Sequence, residues 1–236
     1  MKSWSLLAAV SAPMPFQMAL DEILFRRMEE GALSSGERES RPLLRFYFSS
    51  EPWMTLGYSD SGPNGRAAGV PVCRRITGGG RVEHGKDLIF SLIALKRGDE
   101  SFKSVRTSYL KIHEAVKEGF ARLGKNVRFF RCDEKLARGP DCFLFPIATD
   151  LALGNEKIAG GAEKRSSGVL LHEESVKIPK GISAEELLRA LKAGFEARFE
   201  IKLEPADWVP EWLEQAAALA KESRDEATIP SPSVSV

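Results

Sequence analysis

Met18, Leu20, Ile23, Leu24 and Met28 recur at close to helical spacing within Phe16–Glu30, with Arg26, Arg27, Glu29 and Glu30 on the other side. The pattern predicts an amphipathic helix ended by Gly31. Val105, Tyr109, Ile112, Val116, Phe120 and Leu123 give a second helix over Ser104–Leu123, ended by Gly124. Its His113 sits among charged neighbours and is expected on the solvent side. Ala184–Phe199, capped by Ser183, and Pro210–Glu222, opened by a proline, complete the predicted helices. Strand-like runs fall at Leu43–Phe48, Trp53–Leu56, Val70–Arg74, Val127–Arg131 and Gly168–Val176. Asp87–Leu95 is almost continuously apolar and reads as a buried strand. Thr149–Leu153 and Glu156–Ala159 flank Gly154-Asn155, a dipeptide suited to a hairpin turn. Ala159–Ala162 and Lys164–Ser167 read as turns.

The 236 residues suit one domain over 1–228, with Ile229–Val236 as a Pro/Ser-rich disordered tail. A net charge of +1 argues against a general nucleic-acid binder. No apolar run is long enough for a membrane helix, and Pro13 and Pro15 break the mildly apolar N-terminus, which argues against a signal peptide. Cys73, Cys132 and Cys142 are too scattered for a disulfide framework or a cysteine zinc site, so no metal is expected and a reducing cytoplasm fits.

Arg74–His84 (RRITGGGRVEH) follows a strand. Three consecutive glycines let a backbone approach a ligand closely and turn its N–H groups toward a phosphate, carboxylate or acyl carbonyl. Arg74 and Arg75 add cationic donors. The stretch is neither a P-loop nor a dinucleotide fingerprint, because no Gly-Lys-Ser/Thr and no GxGxxG is present. Farther on, the hairpin folds Lys157 back toward the segment carrying Cys142. A thiol beside an ammonium is a nucleophile arrangement, because the positive charge favours the thiolate. A buried cysteine and an unrelated surface lysine is the alternative. Cys73, within a strand, and Cys132, at a strand's end, read as packing residues.

RRITGGGRVEH, KIAGGAEKRSSGVLLH and MALDEILFRR…LLRFYFSSEPWMTLGY together resemble the biotin/lipoate A/B protein ligase family in order and approximate spacing, over roughly Gln17–Ser175. The resemblance implies an α+β fold, a mixed, largely antiparallel sheet packed against helices. It also implies an acyl pocket built by the GGG turn and the lysine strand. Lys157 matches the family's essential lysine. Gly78, Gly79 and Gly80 match the pocket wall, with Arg75, Thr77 and Val82 in the same motif and His84 closing it. Gly160, Gly161 and Ala162 match the small residues behind the lysine. Cys142, Phe143 and Pro146 resemble the cysteine loop of the octanoyltransferase branch.

That branch implies transfer of an octanoyl or lipoyl group from an acyl-carrier protein, through a Cys142 thioester, to a lysine of a lipoyl domain, without a cofactor. The apolar strand Leu88–Leu95 is expected to help line the acyl channel. An adenylating lipoate ligase using ATP and Mg2+, and a non-catalytic acyl-binding relative, remain open. The chain departs from the pattern at Arg81, where a small residue is usual. Gly85 replaces a common Asp, and His172-Glu173-Glu174 stands for Gln-His-Gly or His-His-Gly.

Overall fold

The computed structural model describes residues 2–31, 41–61, 66–67, 69–130 and 150–226. In chain order the elements are β1 (Lys2–Ala12), α1 (Met14–Gly31), β2 (Leu43–Ser49), β3 (Trp53–Leu56), β4 (Arg66–Ala67), β5 (Val70–Arg74), β6 (Val82–His84) and β7 (Asp87–Leu95). They continue with α2 (Val105–Arg122), β8 (Val127–Phe129), β9 (Leu151–Leu153), β10 (Glu156–Ser166), β11 (Val169–Lys177), α3 (Ala184–Phe199), β12 (Ile201–Ala206) and α4 (Pro210–Glu226).

The large sheet runs β12-β1-β2-β7-β11-β10-β9-β8. Only β12–β1 and β1–β2 pair in parallel; the remaining neighbours are antiparallel. A small sheet, β4-β5-β3-β6, carries the glycine turn between β5 and β6. The expected α+β architecture is therefore present.

Helices cover both faces of the large sheet. On one face, Leu88, Phe90, Leu92, Leu170 and Val176 pack on Ile112, Val116 and Phe120 of α2 and on Leu187, Leu191 and Phe195 of α3. On the other, Ile93, Leu95, Val169 and Leu171 pack on Leu24, Phe25 and Met28 of α1. Burial on both faces is why β7 reads as an unbroken apolar run. Ser104 and Ser183 cap α2 and α3 in reciprocal capping boxes, each cap contributing about 1 kcal/mol.

Several expectations change. β1, which lacks a clean alternation, becomes an interior strand, and β12 pairs with it. The Ala159–Ala162 segment is not a turn. It is the middle of β10, extended because every residue from Ala159 to Ser166 pairs with β11. The turn falls at Ser167-Gly168, both at positive φ. Gly154, at φ +62, makes the expected β9–β10 hairpin turn. His113 is fully buried rather than solvent-facing. Cys73 is buried among Met14, Met18, Tyr47, Trp53 and Ile89, as a packing residue. Cys132, Cys142, Phe143, Pro146 and the 229–236 tail lie outside the described residues. Among the described residues, no helix is long and apolar enough to cross a membrane.

Candidate active site

Arg75 shapes the glycine turn. It leaves the end of β5 buried, and its guanidinium is a rigid planar fork of donors. Nη2 donates to the carbonyls of Gly78 (2.7 Å) and Gly80 (2.8 Å). Nη1 donates to Thr55 Oγ1 (3.0 Å) and the Thr55 carbonyl (3.3 Å). With two turn carbonyls held from below, residues 77–80 have a set curvature, and Gly79 adopts φ +84. Gly57 closes the turn from the side. A Cβ there would lie 2.8 Å from Gly79 C and 2.9 Å from Gly78 C, and Tyr58 N donates to the Thr77 carbonyl at 2.8 Å. Arg74 and Arg75, expected as cationic donors beside the turn, both bond backbone carbonyls. Arg75 donates to turn carbonyls and Thr55, and Arg74 Nη1 to the carbonyls of Gly57 and Asp60. Arg75 positions the turn, because carbonyls enclosed under it need donors, whereas Arg74 is exposed and ties the 57–61 loop to β5. Arg81 turns to the 57–61 loop, with Nε 3.6 Å from Asp60 Oδ2.

His84 and Val82 lie on β6, opposite Trp53 and Thr55 of β3. His84 Nε2 is 2.9 Å from Thr55 Oγ1 and Nδ1 is 2.7 Å from Asp87 Oδ2. The Asp87 carboxylate can only accept, so the His84 Nδ1 proton is directed at it. Asp87 also accepts from Ser175 Oγ at 2.6 Å. Burial opposes its charge, but the bond from His84 outweighs this and holds the carboxyl below its usual range. His84 thereby pins the small sheet to β7 and β11.

Lys157 is buried at the start of β10, with Nζ 2.8 Å from Asp150 Oδ2. Gly160 makes room for it. A Cβ at Gly160 would lie 2.8 Å from Asp150 Oδ1 and still closer to Lys157 Cε and Nζ. The lysine therefore lies over the face of β10 to which Gly160 points. In the β10–β11 register, Gly160 faces Ser175 and Ala162 faces Glu173. Glu173 accepts a hydrogen bond from Thr77 Oγ1, on the glycine turn. One patch of two strands thus carries both the lysine and the anchor of the turn. Gly161 points to the opposite face.

The sequence reading treated Glu173 only as a departure and missed Asp150 and Asp21. Burial raises Glu173 to about 8, with Asp21 adding to the shift. Asp21 on α1 is fully buried against Arg45 Nε (3.2 Å), Tyr47 Oη (2.9 Å) and Ser91 Oγ (2.5 Å). Burial, followed by Asp21, pushes the Tyr47 phenol well above its usual range. Arg45 also donates to Gln17 Oε1 at 2.6 Å. The expected apolar lining from Leu88–Leu95 is corrected in part. Leu88, Phe90, Leu92 and Ala94 face α2 and α3, while Ile89, Ser91 and Ile93 face the α1 side. The signal available in the sequence was Gln17 and Asp21 falling within the apolar stripe of α1.

On the α2 face, β11 and β10 build a second buried polar group. His172 Nε2 is 2.8 Å and His113 Nε2 3.0 Å from Glu174 Oε2. His172 Nδ1 is 3.3 Å from Glu163 Oε1, and Glu163 also accepts from Ser108 (2.6 Å) and Arg165 (2.9 Å). Burial disfavours charge on His172, but its bonds to Glu163 and Glu174 outweigh this and raise it to about 9. Burial likewise opposes a charged Glu174, yet His113 and His172 hold it down to about 2.

Comparison with known proteins matches this architecture. The family model described as lipoyl protein ligase A/B catalytic domain matches residues 13–191. The octanoyltransferase LipM of Symbiobacterium thermophilum is 29% identical over 231 residues, covering 87% of this chain and 81% of that protein. That of Geobacillus kaustophilus is 30% identical over 201 residues, covering 80% and 69%. A Thermoplasma acidophilum putative lipoate protein ligase with bound lipoic acid superposes with a TM-score of 0.71 at 22% identity, covering 96% of this chain and 95% of that one. A lipoate-protein ligase A bound with ATP gives 0.70 at 22% identity, covering 98% and 97%. The chain belongs to the lipoyl protein ligase A/B catalytic-domain family.

Proposed function

We propose that this chain is an octanoyl or lipoyl acyltransferase of protein lipoylation. The observation that carries the reading is Lys157, buried against Asp150 over Gly160, on the strand pair that anchors the glycine turn. The similarity to octanoyltransferases over most of the chain gives that site its acyl chemistry.

In this reading the Cys142 thiolate attacks the carbonyl of an acyl-carrier-protein thioester. An acyl–Cys142 thioester forms and the carrier thiol leaves. The amine of a lipoyl-domain lysine then attacks that thioester, an amide forms, and the Cys142 thiolate departs. Exchange between thioesters is nearly neutral in free energy and amide formation is downhill, so no nucleotide enters the scheme. The Lys157 ammonium, fixed by Asp150, donates to the carbonyl oxygen as negative charge develops there. Glycine-turn N–H groups supply further donors. Charge stabilisation in a water-excluded site is worth about 3–4 kcal/mol per donor. The enzyme acts in the cytoplasm, where carrier and acceptor proteins are made.

Incubation with octanoyl-carrier protein followed by intact-mass analysis tests the scheme. The wild type gains one octanoyl group and Cys142→Ala does not. If both stay unmodified, Cys142 is not the acyl carrier. Lipoate-dependent pyrophosphate exchange that survives Cys142→Ala would replace the scheme by adenylation.

A further inference from the structure

The buried group on the α2 face has a geometry that the acyl chemistry does not use. His113 of α2, His172 and Glu174 of β11 each direct one ligand atom to a common point, and these atoms lie within 4.8 Å of one another. All three residues are fully buried. We propose that His113, His172 and Glu174 form a structural site for one divalent zinc-like cation that ties α2 to the centre of the sheet.

Four observations support a cation there. The donor set, two imidazoles and a carboxylate, is one that zinc accepts. Zinc–ligand bonds of about 2.0–2.1 Å in a tetrahedral site separate ligand atoms by about 3.4 Å. The Glu174 Oε2 distances to the two imidazoles are 2.8 and 3.0 Å and the ligand atoms spread over up to 4.8 Å, so around an ion the carboxylate withdraws and the two imidazoles close by up to about 1.4 Å. Ligating histidines commonly donate their second ring N–H to a carboxylate. His172 Nδ1 faces Glu163, itself fixed by Ser108 and Arg165. Finally, Glu174 Oε1 is buried without a hydrogen-bond partner, and a second carboxylate oxygen is a ready additional ligand.

Gly161 makes room for the ligand side chains. A Cβ on Gly161 would lie 2.6 Å from His172 Nε2 and 2.7 Å from its Cε1, so any other residue at that position crowds the cluster. Tyr109 closes it from the helix side, with its ring 4.9 Å from that of His172 and its hydroxyl donating to the Gly161 carbonyl at 3.1 Å. Zinc binds neutral imidazole, so each histidine ligates through a proton-free Nε2 while His172 keeps its Nδ1 proton directed at Glu163. The dication then balances the carboxylates of Glu174 and Glu163. The site lies on the face of the sheet away from Glu173 and Thr77, so it holds the scaffold and takes no part in acyl transfer.

Full-length protein refolded with Zn2+ and then dialysed against metal-free buffer is analysed for bound metal, and a Co2+-refolded sample is measured by visible absorption. The expected result is one metal per chain, a d–d band without thiolate charge transfer, and a melting temperature above that of the chelator-treated protein. Glu174→Gln and His113→Ala lose the metal, and Glu163→Gln binds it roughly 10–100-fold more weakly. No retained zinc and no cobalt band in the wild type overturns the proposal. So does a thiolate band, or metal retained in folded Glu174→Gln. If the variants do not fold, the wild-type stoichiometry and cobalt spectrum decide. Octanoyl transfer is not a readout, so failure here leaves the proposed function standing.

Discussion

Gly160→Ala separates the placement of Lys157 from the stability of the fold. The added Cβ would sit 2.8 Å from Asp150 Oδ1 and closer to the lysine's Cε and Nζ, where ordinary contact begins near 3.4 Å. The nearest obstacle is the flexible end of a side chain, so β10 stays paired and the ammonium retreats by about 1 Å. Overpacking of this kind costs about 1–3 kcal/mol. In a chain of 236 residues that lowers Tm by about 2–12 °C. A domain with about 5–15 kcal/mol of stability remains folded at 25 °C after that loss. Misplacing a catalytic group by about 1 Å nevertheless costs on the order of 100-fold in rate. Octanoyl transfer to a lipoyl domain, measured beside thermal unfolding, should fall by about that factor while the protein remains folded. A Gly160→Ala enzyme with the wild-type rate would show that Lys157 does not need the position over Gly160, and the assignment of the site would fail.

Arg75→Lys replaces a planar fork by a point charge. It should release at least two of the four acceptors under the turn and lower transfer by about 10–100-fold, and the wild-type rate in the variant would count against Arg75 as the organiser. Glu173 gives a pH signature. Its folded pKa of about 8 exceeds the usual 4.5, so the native state binds more protons between those values and stability falls as pH rises through that window. Denaturation of Glu173→Gln and wild type from pH 5 to 8 should show the variant gaining relative stability with pH, and parallel curves would refute the shift. In the metal-free protein His172 acts in the same direction at higher pH. With its pKa raised to about 9, its contribution is complete below about 6.5 and lost as pH rises through about 9. Gly57→Ala meets turn backbone instead of a side-chain tip, so it should displace the glycine turn itself. Its Tm loss should exceed that of Gly160→Ala.

Local chemistry in the sequence already specified much of this protein. Amphipathic spacing located α1 to α4, because one face of each must be apolar to pack. The unbroken apolar run of Asp87–Leu95 announced a strand covered on both sides. Gly154-Asn155 announced the hairpin that carries Lys157, since a left-handed turn residue is a local requirement. The motif resemblance pointed to the glycine turn and the lysine together. What it could not show was who supports them. Lys157 depends on Asp150, the turn on Thr55 and Glu173 beside its own Arg75, and His84 on Asp87, and apart from Arg75 these contacts join separate segments of the chain. β1 and β12 were missed because their strand character comes from pairing with each other. The Ala159–Ala162 segment looked like a turn because glycine has little strand preference. β11 pairing extends it, and the missing side chains leave room for Lys157 on one face and His172 with Glu174 on the other. His113 read as a surface residue beside charged neighbours, yet burial is set by which way α2 faces the sheet. Secondary structure and motif chemistry are largely local and were legible. The partners of each buried charge were not, because only the packed sheet and helices choose them.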